Sequence, residues 1–205
     1  MDTTKIPKLY LITDSAITKQ TTEKDTKDAL EAGIKIIQYR EKNLPEHLIL
    51  KTAKKLKTLT KKHNALLIIN DHPTIAQKIH ADGIHLGQTD TPIKEAKKIF
   101  KGKIIGISAK TIKQTKQAET DGATYLGIGP IFNTATKKDA GQGIGLETLK
   151  QIKNHATIPI VAIGGITKTN AETVLNSGAD SIAVISAIIG KDIKKETQKL
   201  QAVIQ

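Results

Sequence analysis

Apolar and polar positions fall in alternating blocks along the chain. Short, β-branched runs occupy 8–14, 34–39, 65–70, 83–87, 103–109, 124–129, 159–163 and 181–186. Runs this short, apolar on both faces and well separated, predict buried parallel strands. Between them lie Lys- and Glu-rich segments with helical spacing. In the clearest, Leu48, Leu50, Ala53, Leu56, Leu59 and Thr60 mark the apolar face. Thr91 ahead of Pro92, and Thr169 with Glu172, predict capped helix starts, and a helix is expected over 72–81. Gly33, Gly122 and Gly178 each follow a helical run and precede a strand, as C-terminal caps do. Eight such units average about 26 residues, enough for one strand, one modest helix and two short loops. The predicted fold class is α/β, a single-domain (β/α)8 TIM barrel over 1–205. A doubly wound sheet is disfavoured, because no strand run leads into a Gly-x-Gly-x-x-Gly turn.

Composition narrows the class. With 38% apolar and 25% charged residues, the 205-residue chain has the polarity of a globular domain. No apolar run approaches the ~18 residues of a membrane span, and the first residues show no secretory pattern. The absence of cysteine excludes disulfides, thiolate catalysis and Cys-ligated zinc, so the cytoplasm is the expected compartment. The net charge of +12 raises nucleic acid or an anionic membrane as partners. Two Phe, three Tyr and no Trp, however, offer no stacking platform for bases. All but one of the 32 basic residues are Lys, the exception being Arg40. Lysine spread over every segment predicts a solvated exterior, so small molecules are the expected partners rather than nucleic acid or membrane.

In a barrel of this kind the active site lies on the loops that follow the strands. Gln38, Arg40, Glu41 and Lys42 follow the second run, Asn70 and Asp71 the third, Gln88 and Asp90 the fourth, and Ser108 the fifth. A long loop at 130–145 follows the sixth and reads as a lid. Gly164 and Gly165 follow the seventh run, and Ile185 and Ser186 close the eighth. These last two ends are where such barrels frequently hold a phosphate on backbone N–H groups. Asp71 and Asp90 end neighbouring runs. They either hold a hard divalent cation, which takes one or two carboxylates plus phosphate oxygens, or cap the helices that follow. Arg40, the single bidentate donor, stands where phosphate recognition is expected. His85 reads as a packed or hydrogen-bonded core residue, and His72 is assigned no role. A carboxylate pair among cations argues against glycoside hydrolysis and for a diphosphate leaving group.

Eight ordered motifs carry a resemblance. They are Gln38-Tyr39-Arg40-Glu41-Lys42, Ile69-Asn70-Asp71, His85-Leu86-Gly87-Gln88-Thr89-Asp90 and Gly106-Ile107-Ser108-Ala109-Lys110-Thr111. The others are Gly127-Ile128-Gly129-Pro130-Ile131-Phe132, Thr134-Ala135-Thr136-Lys137, Ala162-Ile163-Gly164-Gly165-Ile166 and Ala183-Val184-Ile185-Ser186-Ala187. In this register, from about residue 8 to 190, the chain resembles the thiamine phosphate synthase family. The resemblance implies a transferase of thiamine biosynthesis. It joins a hydroxymethylpyrimidine diphosphate to a thiazole phosphate, or the carboxylated form, giving thiamine monophosphate and diphosphate. It implies catalytic roles for Arg40, Lys42, Ser108 and Lys137, and Mg2+ on Asp71 and Asp90. Gln38, Tyr39, Arg40, Glu41, Lys42, Asn70 and Lys137 would hold the pyrimidine diphosphate. Ser108 would bond the reacting pyrimidine, and Thr134, Ala135, Thr136, Gly165, Ile185 and Ser186 would hold the thiazole phosphate.

This chain has Lys110 where the family often has His, and His72 where it often has Arg. A thiazole tautomerase of the same superfamily is the nearer alternative, but it would not need Asp71, Asp90 and Lys137 together. A basic RNA-binding or scaffold barrel leaves the strand-end donors unexplained. Whether the protein is a homo-oligomer is left open.

Overall fold

The computed structural model describes residues 6–136 and 141–204. Each predicted run contains one strand: β1 (Leu9–Ile12), β2 (Ile36–Tyr39), β3 (Leu66–Asn70), β4 (Gly83–Leu86), β5 (Ile104–Ala109), β6 (Tyr125–Ile128), β7 (Ile160–Ile163) and β8 (Ser181–Val184). The helices between and after them are α1 (Thr22–Glu31), α2 (Glu46–Lys62), α3 (Pro73–Lys78), α4 (Ile93–Ile99), α5 (Ile112–Asp121), α6 (Gly145–Lys153), α7 (Ala171–Asn176) and α8 (Ile193–Val203). Every strand pairs in parallel with the next, and β8 pairs with β1, closing an eight-stranded barrel.

Successive strand residues face opposite sides of the sheet, which divides the core in two. Tyr10, Ile12, Ile36, Ile68, Ile104, Tyr125, Val161 and Ala183 pack together inside the barrel. Their neighbours along the strands, such as Leu11, Ile37, Leu67, Ile105 and Leu126, pack with the apolar helix faces outside it. On α2 the buried stripe is Ile49, Ala53, Leu56 and Thr60, at spacings of four, three and four, while Leu48 is exposed. The helical face is thus turned slightly from the predicted one. No helix among the described residues is long and apolar enough to cross a membrane.

The left-handed glycines end their helices as expected: Gly33, Gly122 and Gly178 have φ of 98°, 94° and 107°. The predicted helix starts are different. Pro92 occupies the cap position of α4 with extended backbone, so Thr91 lies outside the helix and the start has no side-chain cap. Asn170 precedes α7 without a side-chain cap, and the Thr169 hydroxyl pairs with that of Thr167 instead of forming a capping box. The helix expected over 72–81 is only α3, Pro73–Lys78, with His72 at its cap.

Candidate active site

The C-terminal strand ends open on a cavity of about 280 Å³. Gln38, Arg40, Asn70 and Ser108 line one wall; Thr134, Thr136, Gly165, Ile185 and Ser186 line the other. The distribution follows strand parity. Ile36 faces the barrel interior, so Gln38 and Arg40, two and four residues on, face the cavity. Tyr39 and Glu41 have the opposite parity, and their side chains are turned away from it. Tyr39 is buried beneath α2, where Thr52 meets its hydroxyl and burial pushes its phenol up to about 12. Glu41 accepts the backbone N–H groups of Lys42 and Asn43, each at 2.9 Å, and so shapes the loop. Both were expected to touch substrate; neither side chain lines the cavity, and neither do those of Lys42, Asp71 and Asp90.

Arg40 is anchored by a residue to which the sequence pattern assigned no role. Its Nη1 donates to Asp14 Oδ2 at 2.9 Å, and its backbone N–H donates to Thr13 Oγ1 at 3.1 Å. Asp14 is buried at the end of the first apolar run and also accepts the Ala16 N–H. The guanidinium lines the cavity with its orientation fixed from behind, and four of its five N–H donors are not used by Asp14.

Beside this wall, Asp71 and Asp90 meet. Neither caps a helix: His72 and Pro92 occupy the cap positions of α3 and α4. Asp71 has a left-handed backbone, φ 62°, and its carboxyl lies beside that of Asp90 and is paired with Lys42. Burial and the neighbouring Asp90 hold the Asp71 carboxyl above its usual range, while Lys42 pulls it down. Asp90 also accepts the Gly87 N–H at 2.6 Å, which fixes its direction. Among the described residues no group of three or more His, Cys, Asp or Glu comes together. The described donors are two hard carboxylates, fewer than a caged Ca2+ or Zn2+ site uses. The pair suits a Mg2+ ion that completes its shell with water and phosphate oxygens.

The opposite wall is built by the loop after β6. Ile144 and Gly145 donate to the carbonyls of Pro130 and Ile131 at 2.8 and 3.0 Å, clasping the two ends of the loop. Ile131 and Phe132 donate to Ile163 and Gly164, continuing the sheet past the end of β7. Thr136 Oγ1 then reaches Ser186 Oγ at 3.1 Å, joining the β6 and β8 loops across the mouth. Thr134 and Thr136 line the cavity, but the intervening Ala135 is exposed and does not. Lys137, expected on this loop, lies outside the described residues. Lys110 and Lys191 also line the cavity, and neither was expected there.

The floor of the cavity is formed by strand residues that point inward. His85 is a buried, hydrogen-bonded residue as expected, with Nδ1 2.9 Å from the Tyr125 hydroxyl and Nε2 2.9 Å from Ser108 Oγ, and it also lines the cavity. Tyr10 and Tyr125 line the same floor. The signal for all three was the same inward parity that selected Gln38.

A family model described as thiamine monophosphate synthase matches residues 9–188. A thiamine-phosphate synthase of Clostridium novyi is 48% identical over 90% of this chain and 92% of its own length. That of Pyrococcus furiosus is 43% identical over 97% of this chain and 95% of its own. A solved thiamine phosphate pyrophosphorylase from Pyrococcus furiosus superposes with a TM-score of 0.90 at 41% identity, covering 99% of this chain and 96% of that one. A barrel with this cavity and this sequence kinship places the chain in the thiamine monophosphate synthase family, among transferases of thiamine biosynthesis.

Proposed function

We propose that this cavity condenses a hydroxymethylpyrimidine diphosphate with a thiazole phosphate, in a Mg2+-dependent reaction that releases diphosphate. The observation that carries the reading is the Asp71–Asp90 pair beside Lys42, next in the chain to Asn70, which lines the cavity with Arg40. Asp71 and Asp90 would hold the Mg2+, which when bound neutralises charge growing on the diphosphate.

The bond that breaks joins the exocyclic pyrimidine carbon to a diphosphate oxygen, and its electron pair leaves with the diphosphate. The thiazole nitrogen lone pair then forms the new carbon–nitrogen bond. No proton moves in either event, so no general base is required, and the barrier lies in charge on the leaving oxygen. Arg40, held by Asp14, offers its free N–H edges to that charge, and Lys42 exchanges Asp71 for a phosphate oxygen. Gln38 and Ser108 orient the pyrimidine. Thr134, Thr136, Gly165, Ile185 and Ser186, gathered on the facing wall, hold the thiazole phosphate. The two anions thus occupy opposite walls, with the reacting atoms between them.

Lys137 is assigned to the departing diphosphate through its place after Thr134 and Thr136. Lys137→Ala is expected to slow single-turnover chemistry by about 100-fold, with thiazole phosphate affinity nearly unchanged. Unchanged turnover would remove Lys137 from the site. The condensation itself is tested by mass spectrometry of reactions holding both substrates and Mg2+. Thiamine monophosphate is expected with both and absent when either is omitted. Conversion of the thiazole phosphate alone would overturn the reading.

A further inference from the structure

Beneath the cavity a chain of polar groups crosses the barrel. Gln38 Nε2 donates to Tyr10 Oη at 3.1 Å, Tyr10 Oη lies 3.0 Å from Tyr125 Oη, and Tyr125 Oη lies 2.9 Å from His85 Nδ1. His85 Nε2 lies 2.9 Å from Ser108 Oγ, at the cavity surface. We propose that Tyr10, Tyr125 and His85 form a one-directional hydrogen-bond relay that commits the Ser108 hydroxyl to donate into the cavity, which makes His85 a positioning residue. The inference rests on the placement of the pyrimidine at Ser108 in the proposed function.

The direction follows from proton counting. A phenol carries one proton and an amide NH2 only donates. With Gln38 donating to Tyr10, the Tyr10 proton goes to Tyr125 and the Tyr125 proton goes to His85 Nδ1. Nδ1 is then bare, so the neutral imidazole carries its proton on Nε2 and donates to Ser108 Oγ. The Ser108 proton is left to point at the ligand. Burial raises both phenols well above their ordinary value, which keeps each one an O–H donor. In a low-dielectric floor each bond polarises the next, so the order is held along the whole chain.

The strands are built to admit it. His85, Gly106 and Tyr125 are in register on β4, β5 and β6. A Cβ on Gly106 would fall 2.0 Å from Tyr125 Cζ, and one on Gly127 would fall 2.8 Å from His85 Cε1. Two strand glycines therefore stand where the two rings cross, which is the usual reason for glycine inside a strand. Without the relay, a serine hydroxyl either donates or accepts. With it, Ser108 favours a substrate atom bearing an exposed lone pair, such as an aminopyrimidine ring nitrogen, and disfavours an N–H at that place.

A double-mutant cycle of Tyr125→Phe and Ser108→Ala, read as kcat and KM with both substrates, tests the coupling. Tyr125→Phe is expected to lower kcat by about tenfold, and to have no further effect in the Ser108→Ala background. The KM for the thiazole phosphate should not move. Impairment by Ser108→Ala with an additive Tyr125→Phe effect would overturn the relay alone. Full activity in Ser108→Ala would overturn both the relay and the placement of the pyrimidine. The tautomer gives a readout that needs no variant. In 15N-histidine-labelled protein at about pH 8, where an imidazole is neutral, His85 should show a bare Nδ1 and a protonated Nε2. A proton on Nδ1 would overturn the proposal.

Discussion

Asp71→Asn is expected to lower turnover by about a thousandfold while making the metal-free protein more stable. Asn is the right probe, because Asp71 sits at φ 62°, a conformation that Asn tolerates and Ala does not. The carboxyl is held above its usual range by burial and by Asp90, so ionising it disfavours the folded state. The sign is that of any raised pKa: the stabilising contribution is complete below the unfolded value and is lost as pH rises through the folded one. The wild-type metal-free protein should therefore lose stability across that window, and the variant should lose less and melt higher at neutral pH. Metal affinity runs the other way and strengthens as Asp71 ionises. A unit charge about 4 Å from the leaving oxygen is worth about 4 kcal/mol at an effective dielectric near 20, or about a thousandfold in rate. Losing a carboxylate that secures such a charge should cost turnover on that scale. Thermal melts with EDTA, beside steady-state kinetics, check both halves. A variant that is inactive and less stable would mean that the carboxylate pair is structural.

Arg40→Ala is expected to fail in the opposite manner, losing both activity and stability. Asp14 is buried and its Oδ2 is held by Arg40. Removing the guanidinium leaves a buried carboxylate without its cation, at a cost of about 3 kcal/mol. For a chain of this length that corresponds to a fall in Tm of about 6–12 °C. Adding Asp14→Asn to Arg40→Ala should recover most of the stability and none of the activity. If the double variant recovered turnover, Arg40 would be a brace for Asp14 and not a phosphate ligand.

The barrel was readable because its physics is periodic. Short β-branched runs separated by helical segments leave few folds, and all eight runs became strands. The site was readable to the extent that strand ends must face the mouth, which put Gln38, Arg40, Asn70 and Ser108 on one cavity. Within Gln38–Lys42 only Gln38 and Arg40 line the cavity, because alternate residues of a strand end face opposite ways. Counting by two from Ile36 picks out both. The same counting from Tyr10 and Ile12 reaches Asp14, whose pairing with Arg40 no local pattern announces, since the partners are 26 residues apart. The floor was hidden for a related reason. His85, Tyr10 and Tyr125 look like core residues until Gly106 and Gly127 are seen as the spaces their rings fill. The misread helix caps depended on single backbone torsions at Pro92 and Asn170, which composition does not encode.

Where the charge of the chain stands has also become specific. Many lysines lie outside the barrel on helices, in pairs such as Lys27–Glu31, Lys55–Glu23 and Lys194–Glu31, which are too exposed to matter much to stability. Arg40, Lys110 and Lys191 line the cavity, and Lys42 pairs with Asp71.

The central claim is that Asp71 and Asp90 secure a cation that discharges diphosphate during condensation, and diphosphate release tests it most directly. With both substrates and Mg2+, the purified protein should release one diphosphate for each thiamine monophosphate formed. Release should stop on addition of EDTA and return with excess Mg2+. Turnover indifferent to chelation, or product formed without diphosphate, would contradict the account.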